Sequence, residues 1–591
     1  MVPVNEFIFR KISKGFVVML ALLLVTPIYI STGKNNDVER ISISLNFGKP
    51  LIENGLVKME NVSFRLHVPN YPVLPFFTKT FVFYSAGDIS VKFKVFNKKT
   101  LYITEKLRIC PISEGILGSY SHYGKEEWFG YRMGRGLYRG KDAIFLTIFI
   151  HPVRYLSGKL IYIEKAQVTI SYSSHKDSTE GIGILRNESM LIITPKDFEE
   201  AAIYLANHKN NLEKVHVVNL TTIYSQSKGR DRPEKIKYYI KDAIEKWGIK
   251  YVLLMGSKDY VPARKVKTSL LSSPFLSDLY YADIYDSKGR FSSWDANNNG
   301  IYGELWFDKP DLIPDVYIGR FLCENVKEAW IVVKKTICYE RMQNKPWFKR
   351  IIICAGDTFG LPKDPSFLLF YEGEYMGDLI AKTAEKHDFT VTKIYASAIW
   401  KILGSGGSTA DTLPLTTNNI NHAINEGAGF ILFDGHGSPT SWATHPPMII
   451  PLITDLIWLP FPFGYTVNNA RRLNNEKKLP VAVFASCRTG DFDTTNNPLA
   501  WAFVEHENGG SVASFAFTSS PLSNAGNLYL DCSVGIITKS TFSLYLEKGI
   551  ERTGEIWGES VSKAIRSAKF SYEYPTPMQW ELFGDPSLVI G

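Results

Sequence analysis

Two rhythms of apolar residues divide the chain. From about Asp37 to Ser174 apolar and polar positions alternate, as in Val91, Phe93 and Val95 around Lys92 and Lys94. Val168, Ile170 and Tyr172 do the same between Gln167, Thr169 and Ser171. A period of two puts one face of a strand in a core and the other in water. Turn residues recur, as at Ser85-Ala86-Gly87-Asp88, and no helix-period stretch interrupts. The pattern predicts an all-β, sandwich-like domain over 34–180.

After the polar stretch from Ser173 to Gly183 the rhythm changes. Asp231 is placed to cap a helix with Pro233 in its first turn. Ile236, Tyr239, Ile240, Ala243, Ile244 and Trp247 line one face, and Gly248 stops it. A buried strand follows from Tyr251 to Met255. The alternation repeats: strand from Asp315 to Ile318, helix from Glu324, strand from Ile351 to Cys354, helix from Tyr371. Strands from Phe430 to Phe433 and Val481 to Phe484, a helix from Leu499 and a strand from Val512 to Phe517 complete it. Continuous apolar strands alternating with amphipathic helices predict an α/β fold, its mostly parallel sheet covered on both faces. Two α/β subdomains are expected, 187–345 and 346–591, divided near Pro346.

The amino terminus reads as an address. Arg10, Lys11 and Lys14 precede an apolar run from Gly15 to Ile30, followed by Ser31, Thr32 and Gly33. Segment 1–33 is a signal peptide or a retained signal anchor, and contact with a membrane is expected only in the second case. The rest is expected to be secreted or at the cell surface, which the triplets at Asn61, Asn187 and Asn219 fit. The net charge of +8 arises from 67 basic and 59 acidic residues spread over all 591 positions. No basic stripe forms, so nucleic acid is not an expected partner. Six cysteines without a CxxC pair exclude a disulfide scaffold and structural zinc.

Chemistry in open α/β sheets gathers at strand carboxyl ends. The run Phe430-Ile431-Leu432-Phe433 ends in Asp434-Gly435-His436-Gly437-Ser438, and Val481-Ala482-Val483-Phe484 ends in Ala485-Ser486-Cys487-Arg488-Thr489-Gly490-Asp491. Taken singly, these read as a turn histidine and an inert packed thiol. Their 51-residue separation allows one crossover and a return to the adjacent strand. A thiol beside an imidazole is the minimal apparatus for covalent acyl transfer.

The GHGS at His436 and the ASCxxGDF at Cys487 resemble the gingipain-type cysteine peptidases of the caspase-like group. Leu254 to Ala263 (LMGSKDYVPA), Asp315 to Phe321 (DVYIGRF) and Phe583 to Leu588 (FGDPSL) extend the resemblance from about Met190 to the last residue. It implies a caspase-like unit of two α/β subdomains with Cys487 as nucleophile and His436 as its partner. Asp357, where the family carries a longer glutamate, is implied as third catalytic residue. The backbone N–H groups of Gly437 and Cys487 are implied as the oxyanion hole. His445 is a rival base. The implied activity is that of an exported cysteine endopeptidase acting on proteins or peptides through a thioester, made as a proenzyme. Its β-rich domain is then an inhibitory or chaperoning propeptide, removed near Lys176 or Arg186; a permanent binding domain is the other reading. The family's specificity acid falls near Phe370, with Asp364, Glu372 and Glu374 close by, so the residue preferred before the scissile bond stays open. A sortase-like transpeptidase with the same dyad, or a non-catalytic surface protein on a degenerate fold, are the alternatives. No further module is expected after FGDPS.

Asp295, Asn297 and Asn299, followed by Gly300, Ile301 and Glu304, resemble the first half of a calcium loop. Trp306 stands at the usual glutamate position, so Glu304 or Asp308 would have to serve. Structural calcium and a plain asparagine-rich turn both fit. No organic cofactor is expected.

Overall fold

A computed structural model describes residues 29–35, 38–62, 64–66, 71–84, 88–109, 128–173, 189–209, 212, 214–268, 273–305, 307–342, 345–356, 371–398, 412–445, 458–460, 464–523, 526–568 and 574–591. The amino-terminal part is two antiparallel sheets around one core. One sheet holds Tyr29–Asn35, Val38–Asn46, Ile89–Tyr102, Val153–Leu156 and Lys159–Ser173; the other holds Phe64–Leu66, Leu74–Phe83, Phe129–Tyr138 and Lys141–Ile150. Ile41, Ile43, Phe81, Ile148, Val168 and Ile170 fill the space between. The alternation in the sequence is therefore the in–out alternation of a sandwich. The first strand starts at Tyr29, inside the segment read as an export signal. Tyr-Ile-Ser-Thr is aromatic and β-branched text, which suits a pleated ladder as well as an apolar leader. Arg10, Lys11, Lys14 and most of the apolar run lie outside the described residues, as do Lys176 and Arg186.

The remainder is built on an eleven-stranded sheet. Its order is Lys214–Asn219, Ser189–Thr194, Tyr251–Met255, Tyr317–Phe321, Trp580–Phe583, Ala513–Phe517, Val481–Ala485, Phe430–Asp434, Arg350–Ala355, Thr390–Tyr395 and Thr412–Pro414. Every residue of Tyr251–Met255, Phe430–Asp434, Val481–Ala485 and Ala513–Phe517 is buried, as helices on both faces require. The two α/β halves are joined by the last strand. Trp580–Phe583 runs antiparallel to Ala513–Phe517 and meets Tyr317–Phe321 through the single pair Arg320↔Phe583. Four residues carry no readable period, so this strand is not legible in the pattern. The strand expected from Asp315 begins two residues later, because the Asp315 carboxylate turns to accept the N–H groups of Ile284 and Tyr285.

The helix Arg232–Trp247 forms as its caps dictate. Asp231 accepts the N–H of Glu234, Pro233 occupies the first turn, and Gly248 closes the helix with φ +63°. Two motifs prove to be buried ion-pair anchors. Arg320 pairs with Asp278 at 2.6 Å and donates to the carbonyls of Gly256 and Val261, tying two motif segments together. Asp585 of FGDPSL pairs with fully buried Lys209 at 2.6 Å, and Lys209 also reaches Glu340 at 2.7 Å. Removing one partner from such a pair strands a buried charge.

The edge strand Phe129–Tyr138 lies on the α/β unit. The Leu137 N–H donates to the Pro314 carbonyl (2.8 Å), that of Arg135 to Asp311 (2.9 Å), that of Arg139 to Glu559 (2.6 Å) and that of Gly140 to the Tyr317 hydroxyl (3.1 Å). At Gly136 a Cβ would come within 2.5 Å of the Pro314 carbonyl. Ala143 and Phe145 of the β domain belong to the same apolar core as Val252 and Leu254. An otherwise open sheet edge is thereby covered. Among the described residues, no helix is long and apolar enough to cross a membrane.

Candidate active site

The histidine strand Phe430–Asp434 and the cysteine strand Val481–Ala485 are direct parallel neighbours, with Asp434 opposite Ala485. His436 and Cys487 each follow two residues later, so they leave adjacent strand tips, about 4.8 Å apart in the sheet, at equal height. Both are partly exposed. Beyond the tip, His436–Ser438 pairs with Ser441–Ala443, placing His436 opposite Ala443. Gly437 packs against the other tip: a Cβ there would come within 2.3 Å of the Cys487 carbonyl oxygen.

The turn after Cys487 is fixed. Arg488 has φ +56°, a left-handed conformation costing about 1–2 kcal/mol for a residue with a side chain. Its guanidinium is held by Asp491 at 2.8 Å and by Thr494 at 2.9 Å, and its N–H donates to the Ser519 carbonyl. The Cys487 thiol is pushed above its usual range by burial; a hydrogen bond with Ser520, the cysteine's own backbone and the Arg488 charge oppose the shift. Such a thiol rests protonated and needs a base to become nucleophilic. Ser520 was not foreseen; nothing in its local text marks it.

The third implied residue, Asp357, lies outside the described residues, as do Asp364 and Phe370. The chain approaches it from Arg350–Ala355, the histidine strand's other neighbour, with Ala355 opposite Asp434. His445 is placed beside His436, with ring centroids 5.3 Å apart, and Trp458 packs on both rings.

Two acids nearby in the fold are buried. Asp434 is fully buried; its carboxyl accepts the Tyr529 hydroxyl (3.0 Å) and is pushed up to about 7 by burial and by the like charge of Glu372, against that hydrogen bond. Glu374, bound by the N–H (2.8 Å) and hydroxyl (2.6 Å) of Ser397, is raised by burial to about 7 as well. Glu372 and Glu374 were named as neighbours of a specificity pocket; Asp434 was read only as the residue before a glycine.

In the Asp295 loop, the Arg230 guanidinium binds the Asp295 carboxylate at 2.7 Å and the Asn298 amide oxygen at 3.0 Å. Asn297 and Asn299 turn their amide N–H groups to Glu304 (3.4 and 2.6 Å), and Asp308 accepts the N–H groups of Ala296 and Glu304. The Ile301 N–H goes to Asn299. These donors do not fit a calcium ion as they stand, since a guanidinium already neutralises Asp295. Among the described residues no group of three His, Cys, Asp or Glu side chains is spaced to hold a metal.

Two gingipain R2 proteins of Porphyromonas gingivalis are each 24% identical to this chain, over 314 and 371 residues, 52% and 60% of its length. Lys-gingipain HG66 of the same organism is 24% identical over 246 residues, 41% of this chain and 10% of the relative. The chain spans only 33% and 40% of the two gingipain R2 proteins. The crystal structure of the Arg-specific cysteine proteinase gingipain R superposes with TM-score 0.48 at 22% identity, covering 68% of this chain and 78% of that one. The complex of Porphyromonas gingivalis RgpB pro- and mature domains gives TM-score 0.48 at 21% identity, over 68% and 79%. The model of peptidase family C25 matches residues 185–591, most of the sequence and the whole of the eleven-stranded unit, and the chain therefore belongs to peptidase family C25.

Proposed function

We propose that the protein is an exported cysteine endopeptidase, made as a proenzyme, that cleaves peptide bonds through Cys487 and His436. The observation that carries this is the direct pairing of the two strands, Asp434 facing Ala485, with His436 and Cys487 each two residues past its tip. His436 takes the proton of the Cys487 thiol, which burial otherwise keeps on the sulfur, and the sulfur attacks the peptide carbonyl. The oxyanion falls to the backbone N–H groups of Gly437 and Cys487. His436 then protonates the leaving amine, and water activated by the same imidazole cleaves the thioester. Asp357 orients His436.

The residue before the scissile bond is basic in this reading. Asp434 lies at the end of the histidine strand, fully buried, with Glu372 as the charge that reaches it. In this reading the buried acids Asp434 and Glu372 supply the negative potential that favours a lysine or arginine side chain. One gingipain structure is described as Arg-specific.

The β domain acts as a propeptide that folds with the catalytic unit, since Ala143 and Phe145 complete the latter's core. For calcium we propose that Arg230 does the work of the ion at Asp295. A peptide library incubated with the chain processed between 174 and 188, with and without chelator, tests the whole reading. It predicts cleavage after Lys or Arg, lost in Cys487→Ala and unaffected by chelator; a library left intact by the processed chain contradicts it.

A further inference from the structure

Among the described residues, one large apolar side chain touches the His436 ring and is left in water. Trp458 is 40% exposed, and its indole meets the His436 ring edge to face at 5.3 Å and 86°. It also lies over His445, 4.1 Å away, and His445 is itself buried. Two backbone links fix the arrangement. His436 stands opposite Ala443 in the hairpin, and Thr444 exchanges both backbone hydrogen bonds with Leu459 (2.9 and 2.8 Å). His445 and Trp458 are thus anchored through Thr444 and Leu459, beside the imidazole.

An imidazole that protonates the leaving amine stands on the amine's side of the broken bond. The residue carrying that amine arrives next to whatever packs on the imidazole's flank. We propose that Trp458, supported by His445, is the platform for the side chain that follows the scissile bond, and that it selects an aromatic or large aliphatic residue there. This rests on the cysteine-peptidase reading. An indole offers a broad apolar face, and covering it removes apolar area from water that the free protein leaves exposed. The same platform receives an amine that resolves the thioester. The amine nitrogen attacks the acyl carbon, the C–S bond breaks as the amide bond forms, and the amine's proton passes through His436 to the Cys487 sulfur.

Two measurements test this. The first is kcat/KM on peptides that differ only in the residue after the scissile bond. Phe or Leu there is expected to be favoured over Gly or Asp by about tenfold, the scale on which apolar pockets discriminate. In Trp458→Ala the ratio falls to near one, and in Trp458→Phe most of it returns. The second uses the native chain alone, partitioning the acyl-enzyme between water, Phe-amide and Gly-amide, with Phe-amide expected to capture about ten times more product. A flat profile, equal capture of the two amides, or an unchanged preference in Trp458→Ala overturns the platform while cleavage itself stands. A chain processed between 174 and 188 that cleaves nothing, and whose Cys487 takes no electrophilic probe, overturns the peptidase reading and the platform with it.

Discussion

Gly437 lies so close to Cys487 that a Cβ at 437 would come within 2.3 Å of the cysteine's carbonyl oxygen. That oxygen belongs to the backbone and cannot rotate aside, so a side chain at 437 must separate the two strand tips. Gly437→Ala is predicted to lower kcat/KM at least 100-fold, the scale of a lost oxyanion donor. The histidine and cysteine strands stay paired below the tips, so thermal unfolding shifts little. Unimpaired peptide hydrolysis by Gly437→Ala contradicts the geometry.

Burial of Asp434 makes stability depend on pH in a definite direction. Its folded-state carboxyl titrates near 7, above the ordinary aspartate value near 4. Below pH 4 the group is protonated in both states and its contribution is fully present. Between pH 4 and 7 the unfolded chain ionises while the buried carboxyl does not, so stability falls through that window. Asp434→Asn removes the penalty, and the variant is predicted to lose less stability between pH 4 and 8 than the native chain, by on the order of 3–4 kcal/mol. Denaturant titrations at both pH values check it; parallel losses contradict it.

The propeptide reading has a mechanical consequence. Because Ala143 and Phe145 share the catalytic unit's core, cutting the chain between 174 and 188 is predicted to leave the two pieces co-eluting on a sizing column. Gly136→Val drives a side chain into the Pro314 carbonyl, 2.5 Å from the Cβ position, and is predicted to release the cut β domain. Separation of the native pieces without denaturant contradicts a shared core.

Arg230 predicts indifference to metal. With Asp295 neutralised by the guanidinium at 2.7 Å, a chelator is predicted to leave the native melting temperature unchanged. Arg230→Met leaves Asp295, Glu304 and the asparagine oxygens without a cation, and is predicted to gain a calcium-dependent rise in melting temperature. A chelator-sensitive native chain contradicts this.

What could be read beforehand follows the range of the forces involved. The helix Arg232–Trp247 was legible because Asp231, Pro233 and Gly248 act within one turn of it. The adjacency of the histidine and cysteine strands was legible because both are continuous apolar runs separated by one crossover. Trp580–Phe583 was not, since its four residues owe their strand to neighbours 63 to 69 and 263 positions away. Asp434 looked like turn punctuation; only the packing of Tyr529 and the helix Glu372–Glu385 makes it a buried acid. Arg230 is 65 positions from Asp295, so the loop read as a calcium loop or a plain asparagine-rich turn, without its guanidinium. Trp458 owes its place to one bridge, Thr444 with Leu459.

The most direct measurement is covalent. The chain processed between 174 and 188 is incubated with an electrophilic peptide carrying lysine or arginine before the warhead, and the modified residue is located by mass spectrometry. A single adduct on Cys487 is predicted, slowed strongly by His436→Ala and unaltered by removal of buried Cys354. Labelling that ignores His436, or that never reaches Cys487 in the folded chain, contradicts a dyad at the paired strand tips.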